Sequence, residues 1–280
     1  MSTLSAPPNP SRPTTPDQTT TLPLPRILCL HGGGVNATIF RAQMRAFLTH
    51  PALSTRFRFV FVEAPFFCDE GVGVHPVYSD WGPFRRWSRW LETHPEIDAA
   101  ACMHEVLYAV EAGMRGDEGV GEWVGVLGFS QGAKVACSLL LKQQLELDEA
   151  AGTETRTVDA ALPLGKFRFG VILAGRAPLL ALNDEMEGLE FLQSAAGLPG
   201  EADMDAIYES PEYKLRLPTL HVHGLRDAGL ELHRRCVEDY CAPGTATVVE
   251  WDGPHRIPIK RVDVGRVVEA ITDMANEYGV

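Results

Sequence analysis

Gly128-Phe129-Ser130-Gln131-Gly132 sets a serine between two glycines. The apolar run "WVGVLGF" leads into it, and "AKVACSLLLKQQ", with apolar residues at helical spacing, follows. A serine on a sharp strand-to-helix turn projects its hydroxyl clear of the sheet. Glycines on either side let the chain fold back without side-chain collisions. The start of the following helix favours negative charge developing beside the serine. A plainer reading also fits the pattern: Ser130 caps the helix with its side chain.

A serine hydroxyl is a poor nucleophile until a base takes its proton. Among nine histidines, His255 is the best placed, in the Gly-Pro loop of "VVEWDGPHRIPI" between the last apolar run and the final helix-like stretch. An imidazole in that role needs an anion to fix its tautomer and stabilise its charged form. Asp227, just past the run "LPTLHVHG", is the candidate. Asp252 is nearer in sequence, but Asp-Gly there reads as a turn, and Glu231 falls within a helix-like stretch. Acyl transfer also needs N–H donors for the developing oxyanion. The Gln131 backbone is one candidate. Gly33, in the loop "LHGGGVNATIF", is the other. That loop matches neither GxGxxG nor GxxxxGK[ST], so a nucleotide phosphate site is not expected. His221 and His223 share a strand face at a spacing that suits a metal, but no third ligand is evident nearby. No metal and no cofactor is expected.

These residues need a frame to bring them together. "RILCL", "FRFVFVEAP", "WVGVLGF", "FRFGVILAG", "LPTLHVHG" and "ATVVEWDG" are short continuous apolar runs, as in strands buried on both faces. Helix-like stretches fall at about 38–49, 98–114, 131–146, 230–240 and 261–277. The alternation predicts an α/β fold: a mostly parallel central sheet with helices on both faces. Two segments leave carboxyl ends of strands, where ligands sit in open α/β sheets. Residues 66–96 look irregular and aromatic, and Phe66, Tyr78, Trp81 and Phe84 are the candidate pocket residues. Residues 178–217 look mostly helical. Residues 147–165 read as an exposed insertion, and no internal repeat is evident.

The 280 residues carry a net charge of -12, which argues against nucleic acid, since phosphate needs a basic face. Hydrophobic residues make up 45%, enough for a real core, and no apolar run reaches membrane-span length. The six cysteines lack CxxC spacing and read as free thiols, favouring a reducing, cytoplasmic compartment. Residues 1–25 are rich in Ser, Thr and Pro without a signal-peptide core, and read as a disordered tail before a single domain over 26–280.

Together "LCLHGGGVNATIFRAQ", "GVLGFSQGAKVA", "LPTLHVHGLRD" and "WDGPHRIPI" resemble the fungal family of serine hydrolases, the FSH-type α/β-hydrolases, over about residues 26–277. "YSDWGPFRRW" is similar to members associated with fungal secondary metabolism. The resemblance implies an α/β-hydrolase fold and makes Ser130 the nucleophile, Asp227 the acid, His255 the base and Gly33 the first-strand loop donor. It implies intracellular hydrolysis of carboxylic esters or thioesters without a cofactor. Some relatives release polyketide chains from a synthase's acyl carrier domain, so such a domain is a candidate partner. Two further readings remain: a short-chain carboxylesterase, and a non-catalytic scaffold or synthase partner.

Overall fold

The computed structural model describes residues 18–152, 166–198 and 213–280. Six strands form one sheet: β1 (Arg26–Leu30), β2 (Arg58–Val62), β5 (Trp123–Phe129), β6 (Phe169–Leu173), β7 (Thr219–Gly224) and β8 (Ala246–Trp251). Their order is β2-β1-β5-β6-β7-β8, and every neighbouring pair is parallel. A separate antiparallel pair, β3 (Phe66–Cys68) with β4 (Phe84–Arg86), lies in the connection from β2 to β5.

Eight helices complete the described fold. On one side of β2 in sequence are α1 (Ala37–Gln43), α2 (Arg45–Leu48) and α3 (Pro51–Ser54). After β4 come α4 (Ala99–Arg115), α5 (Gln131–Gly152), α6 (Asp184–Glu187), α7 (Leu230–Tyr240) and α8 (Arg261–Glu277). Alternate residues of β1 enter opposite cores. Leu28 and Leu30 join a cluster with α4, α5 and α7, through residues such as Val106, Leu140 and Cys236. Ile27 and Cys29 join a second cluster with Phe40, Phe47 and Leu53 of the first three helices and Val267 and Ile271 of α8. The helices therefore cover both faces of the sheet. In β5 an irregularity interrupts the alternation: Arg26 pairs with Trp123 but Ile27 with Gly125. The extra residue puts Val124 and Leu127, an odd number of positions apart, in the same core.

The strands buried on both faces are the central ones; β6 and β7 are buried throughout. The two edge strands differ from that expectation. β2 alternates between buried and half-buried positions, and β8 leaves Thr247 and Val248 exposed. The helix expected over 38–49 is broken at Met44 into α1 and α2.

Three sequence expectations need correction or fall partly outside the described residues. The tail expectation over 1–25 lies outside them for residues 1–17. From Gln18, however, a 3-10 turn over Gln18–Thr21 leads into the fold. The carbonyl of Leu22 accepts from Val120 and Gly121, which ties this stretch to the turn before β5. Residues 147–152 continue α5 and are not part of a loop, while 153–165 lie outside the described residues. Within 178–217 the described residues hold only the four-residue α6, and 199–212 lie outside them. Among the described residues no helix is long and apolar enough to cross a membrane.

β1 has β2 on one side and β5 on the other, so the chain reverses its direction of travel across the sheet between β1 and β5. At such a switch point the loops leaving two adjacent strands part and open a crevice at their carboxyl ends. Those loops carry the HGGG segment and Ser130.

Candidate active site

β5 ends at Phe129 and α5 begins at Gln131, so Ser130 alone makes the turn. It adopts φ of 53°, a left-handed conformation rare for a residue with a side chain and a mark of stored strain. The backbone holds it there. Its N–H donates to Leu173 O at the end of β6, and its carbonyl accepts from Ala133 and Lys134 to start α5. The side chain does not cap the helix; Oγ lies 2.8 Å from His255 Nε2. The flanking glycines follow from this close fold-back. A Cβ on Gly128 would sit 2.2 Å from Gly132 O, and one on Gly132 would sit 2.2 Å from Leu30 O.

Asp227 and His255 come from the loops after β7 and β8. His255 Nδ1 is 2.6 Å from Asp227 Oδ2, and Asp227 Oδ1 accepts from Gly229 N–H at 2.8 Å. Burial pushes the Asp227 carboxyl up, but the Gly229 N–H and the facing His255 outweigh it and hold it below its ordinary range. An ionised carboxylate only accepts, so Nδ1 carries the imidazole proton. Nε2 is then left as acceptor for the Ser130 hydroxyl. The Asp227 side chain is 1% exposed and that of His255 34%, so the anion is shielded while the imidazole reaches the surface of the crevice. The structure thus brings Ser130, Asp227 and His255 into one chain of hydrogen bonds, while Asp252 pairs with Arg226 at the surface.

The HGGG loop is pinned on several sides. His31 is fully buried, its Nε2 accepts from Ala64 N–H, and Nδ1 donates to Gly32 O at 2.7 Å. Burial lowers its pKa to about 4, so it is a neutral strut. Gly34, at φ of 75°, donates to Arg85 O and accepts from Gly71 N–H. Asn36 caps α1 through Ile39 N–H and donates to the carbonyls of Trp81 and Pro83. Gly33 faces Trp90 and Gln131: a Cβ there would lie 2.9 Å from the indole and 3.3 Å from Gln131 Oε1. Neither the Gly33 nor the Gln131 backbone N–H donates to another described residue.

Of the candidate pocket aromatics, Tyr78 and Phe84 pack in a small cluster with Val35, Ile39 and Val74. Trp81 stands edge-on to Tyr78 at 5.2 Å, and Phe66 packs against the larger core. The rings that touch site residues are others. Trp90 covers Gly33, Trp87 Nε1 donates to His31 O at 2.8 Å, and Phe129 lies 5.2 Å from the His255 ring. Residues 66–96 are therefore more ordered than their sequence suggests. The Gln131 side chain fixes them, accepting from Trp87 N–H at 2.7 Å and donating to Ser88 O and Oγ. Sequence reading missed this role, because nothing in G-x-S-x-G distinguishes the side chain of its fourth residue.

It also missed His233. This imidazole is fully buried in α7, with Nε2 3.8 Å from Asp227 Oδ2. His221, His223, His233 and His255 form a file with ring centroids 6.0, 5.7 and 6.0 Å apart. Among the described residues Asp227, His233 and His255 are also the set whose ligand atoms all lie within 4.8 Å of one another. Their 2.6 Å contact is a hydrogen bond. Two ligands of one tetrahedral zinc stand about 3.3 Å apart, so this geometry is not that of a metal site. A cleft of about 320 Å³ along the outer edge of β2, lined by Arg41, Phe59 and Phe61 among others, contains none of the three triad side chains.

The chain is 44% identical to an esterase, claE, of Penicillium crustosum over 264 residues, 93% of this chain and 96% of that one. It is 47% identical to an esterase, citA, of Monascus ruber, over 92% of this chain and 95% of that one. Among solved structures, maize acyl-protein thioesterase 2 aligns over 90% of this chain and 94% of its own with a TM-score of 0.51. Its 18% sequence identity extends the likeness to the α/β-hydrolase fold alone. The family model described as serine hydrolase (FSH1) matches residues 21–267, and the chain belongs to that family of α/β-hydrolase enzymes.

Proposed function

We propose that the protein hydrolyses carboxylic esters or thioesters through an acyl-enzyme on Ser130. The observation that carries this is the hydrogen-bonded line from Ser130 Oγ to His255 Nε2 at 2.8 Å and from His255 Nδ1 to Asp227 at 2.6 Å. His255 takes the hydroxyl proton as Ser130 Oγ attacks the acyl carbon. The N–H groups of Gln131 and Gly33 receive the charge on the carbonyl oxygen. The tetrahedral intermediate collapses, and His255 passes its proton to the departing alcohol or thiol. A water deprotonated by His255 then attacks the acyl-enzyme, releasing the acid and restoring Ser130. Asp227 stabilises the imidazolium in both halves.

The substrate class extends, in this reading, to acyl thioesters on a carrier domain. Phe67, Val72, Val77 and Trp81 are exposed on residues 66–96, the segment that also carries Trp90 over Gly33, and offer apolar surface to such a chain. The test compares one acyl group presented as an alkyl ester, as a pantetheine thioester and on a phosphopantetheinylated carrier domain. Fast turnover of the thioesters supports the wider class. Ester turnover with no thioester turnover restricts the protein to ester cleavage.

A further inference from the structure

Two arginines beside the site lack the partners that buried charges need. Arg86 ends β4 and is 3% exposed; Arg89 is 9% exposed. Nε and Nη1 of Arg86 and Nε of Arg89 are buried without a hydrogen-bond acceptor. Among the described residues no carboxylate lies within 4.0 Å of Arg86. Arg89 has only Glu96, 3.8 Å away and 91% exposed. Arg85, one position earlier on β4, shows the contrast: it points the other way, over Phe67, and donates to the carbonyls of Ala64 and Pro65. The Arg86 guanidinium instead stacks 4.9 Å over Phe66. Burial and the neighbouring Arg89 charge push Arg86 down from the arginine range. Burial, then the charges of Arg86 and Arg89, lower the pKa of His94, whose ring lies 4.3 Å from that of Trp90.

A buried cation without an anion is costly, and a native fold keeps one where a ligand supplies the anion. The location says which ligand. Arg86 and Arg89 flank the dipeptide Trp87-Ser88 that the Gln131 side chain holds, and Trp90 follows them onto Gly33. We propose that Arg86 and Arg89 form a subsite for an oxyanion carried by the substrate, a carboxylate or a phosphate. Guanidinium nitrogens in this setting match either group in a forked, charge-assisted geometry. A carboxylate would lie on the acyl half of the substrate; a phosphate would lie on the pantetheine half of the leaving group. The inference rests on the proposed hydrolysis at Ser130.

The experiment measures kcat/KM for two matched pairs: the 4-nitrophenyl monoester of glutaric acid against 4-nitrophenyl valerate, and an acyl-phosphopantetheine against the same acyl-pantetheine. Wild type, R86Q and R89Q are compared. The expected result is at least tenfold preference for the charged member of one pair, expressed mainly in KM, with that ratio falling at least tenfold in both variants. Preference within the glutarate pair places the anion on the acyl half; preference within the pantetheine pair places it on the leaving group. The wild-type ratios stand without the variants, should R86Q fold poorly, and R89K, which keeps the charge, should recover part of the ratio. Brisk hydrolysis with no charge preference in either pair overturns the subsite and leaves the hydrolase reading intact. No hydrolysis of any of the four, with no labelling of Ser130 by a fluorophosphonate, overturns both.

Discussion

Gln131 Oε1 accepts the N–H of Trp87 at 2.7 Å, so the residue that follows Ser130 also holds the wall above it. Its Nε2 donates to Ser88 O at 3.0 Å and Oγ at 3.1 Å. The backbone N–H proposed to receive the oxyanion and the side chain that sets the crevice's roof thus belong to one residue. Gln131→Ala keeps the N–H but frees residues 87–90. Losing these partly buried hydrogen bonds should cost about 1–3 kcal/mol of stability and on the order of tenfold in kcat/KM. Urea unfolding and steady-state kinetics on a soluble ester check both. Unchanged kinetics would mean that Trp87 and Trp90 are held by other contacts.

Gly132 is required by backbone, which cannot step aside. A Cβ there would lie 2.2 Å from Leu30 O and 2.4 Å from His31 O. Gly132→Ala should therefore cost several kcal/mol, above the roughly 1–3 kcal/mol typical of overpacking. Gly265 lies within α8 with nothing within 4 Å of a Cβ, so Gly265→Ala should stabilise by about 0.5–1 kcal/mol through helix propensity. Melting temperatures of the two variants should move in opposite directions.

Four histidines exposed by 1% or less, with the less deeply buried His94, set the acid limit of the fold. Burial is the largest cause for each, and it lowers His31 and His223 to about 4 and His221 and His233 to about 3, from an ordinary 6.5. The unfolded chain binds these protons near pH 6.5 and the native chain does not. Stability is therefore complete above about pH 6.5 and falls as pH drops toward 4, as these four histidines, and His94 with them, take up protons on unfolding. Each such proton steepens the fall by about 1.4 kcal/mol per pH unit. Asp227, held low, adds a loss only once pH passes below the carboxylate range. Urea midpoints from pH 8 to pH 4.5 measure this, and His223→Asn should flatten the curve. A curve flat from pH 7 to pH 5 would contradict the buried neutral state.

The sequence carried the triad residues because each is tied to a strand end by a local signal: glycines around Ser130, Asp227 past "LHVHG", His255 in a Gly-Pro loop. Continuous apolar runs likewise marked β5, β6 and β7. What stayed hidden depends on contacts between distant segments. The β3–β4 pair is three residues long on each strand and has no alternation to reveal it. Tyr78 and Phe84 share the composition of a pocket lining, yet they pack with Val35 and Ile39, and Trp90 is the ring over Gly33. Helix-like texture in 178–217 yielded, among the described residues, only four helical residues, because its apolar residues, such as Leu179 to Leu182, anchor an extended chain in the core. His233 sits in a helix-like stretch with no local signal to single it out, and only the closure of α7 over Asp227 sets it beside the triad.

The central claim is that Ser130 is activated by His255 across 125 residues of sequence. Treating the folded protein with a fluorophosphonate and locating the adduct by peptide mass spectrometry tests it most directly. The account predicts one stoichiometric adduct, on Ser130, that is absent in Ser130→Ala and slowed by orders of magnitude in His255→Ala. A folded wild-type protein that takes no adduct, or takes it on another residue, would contradict it.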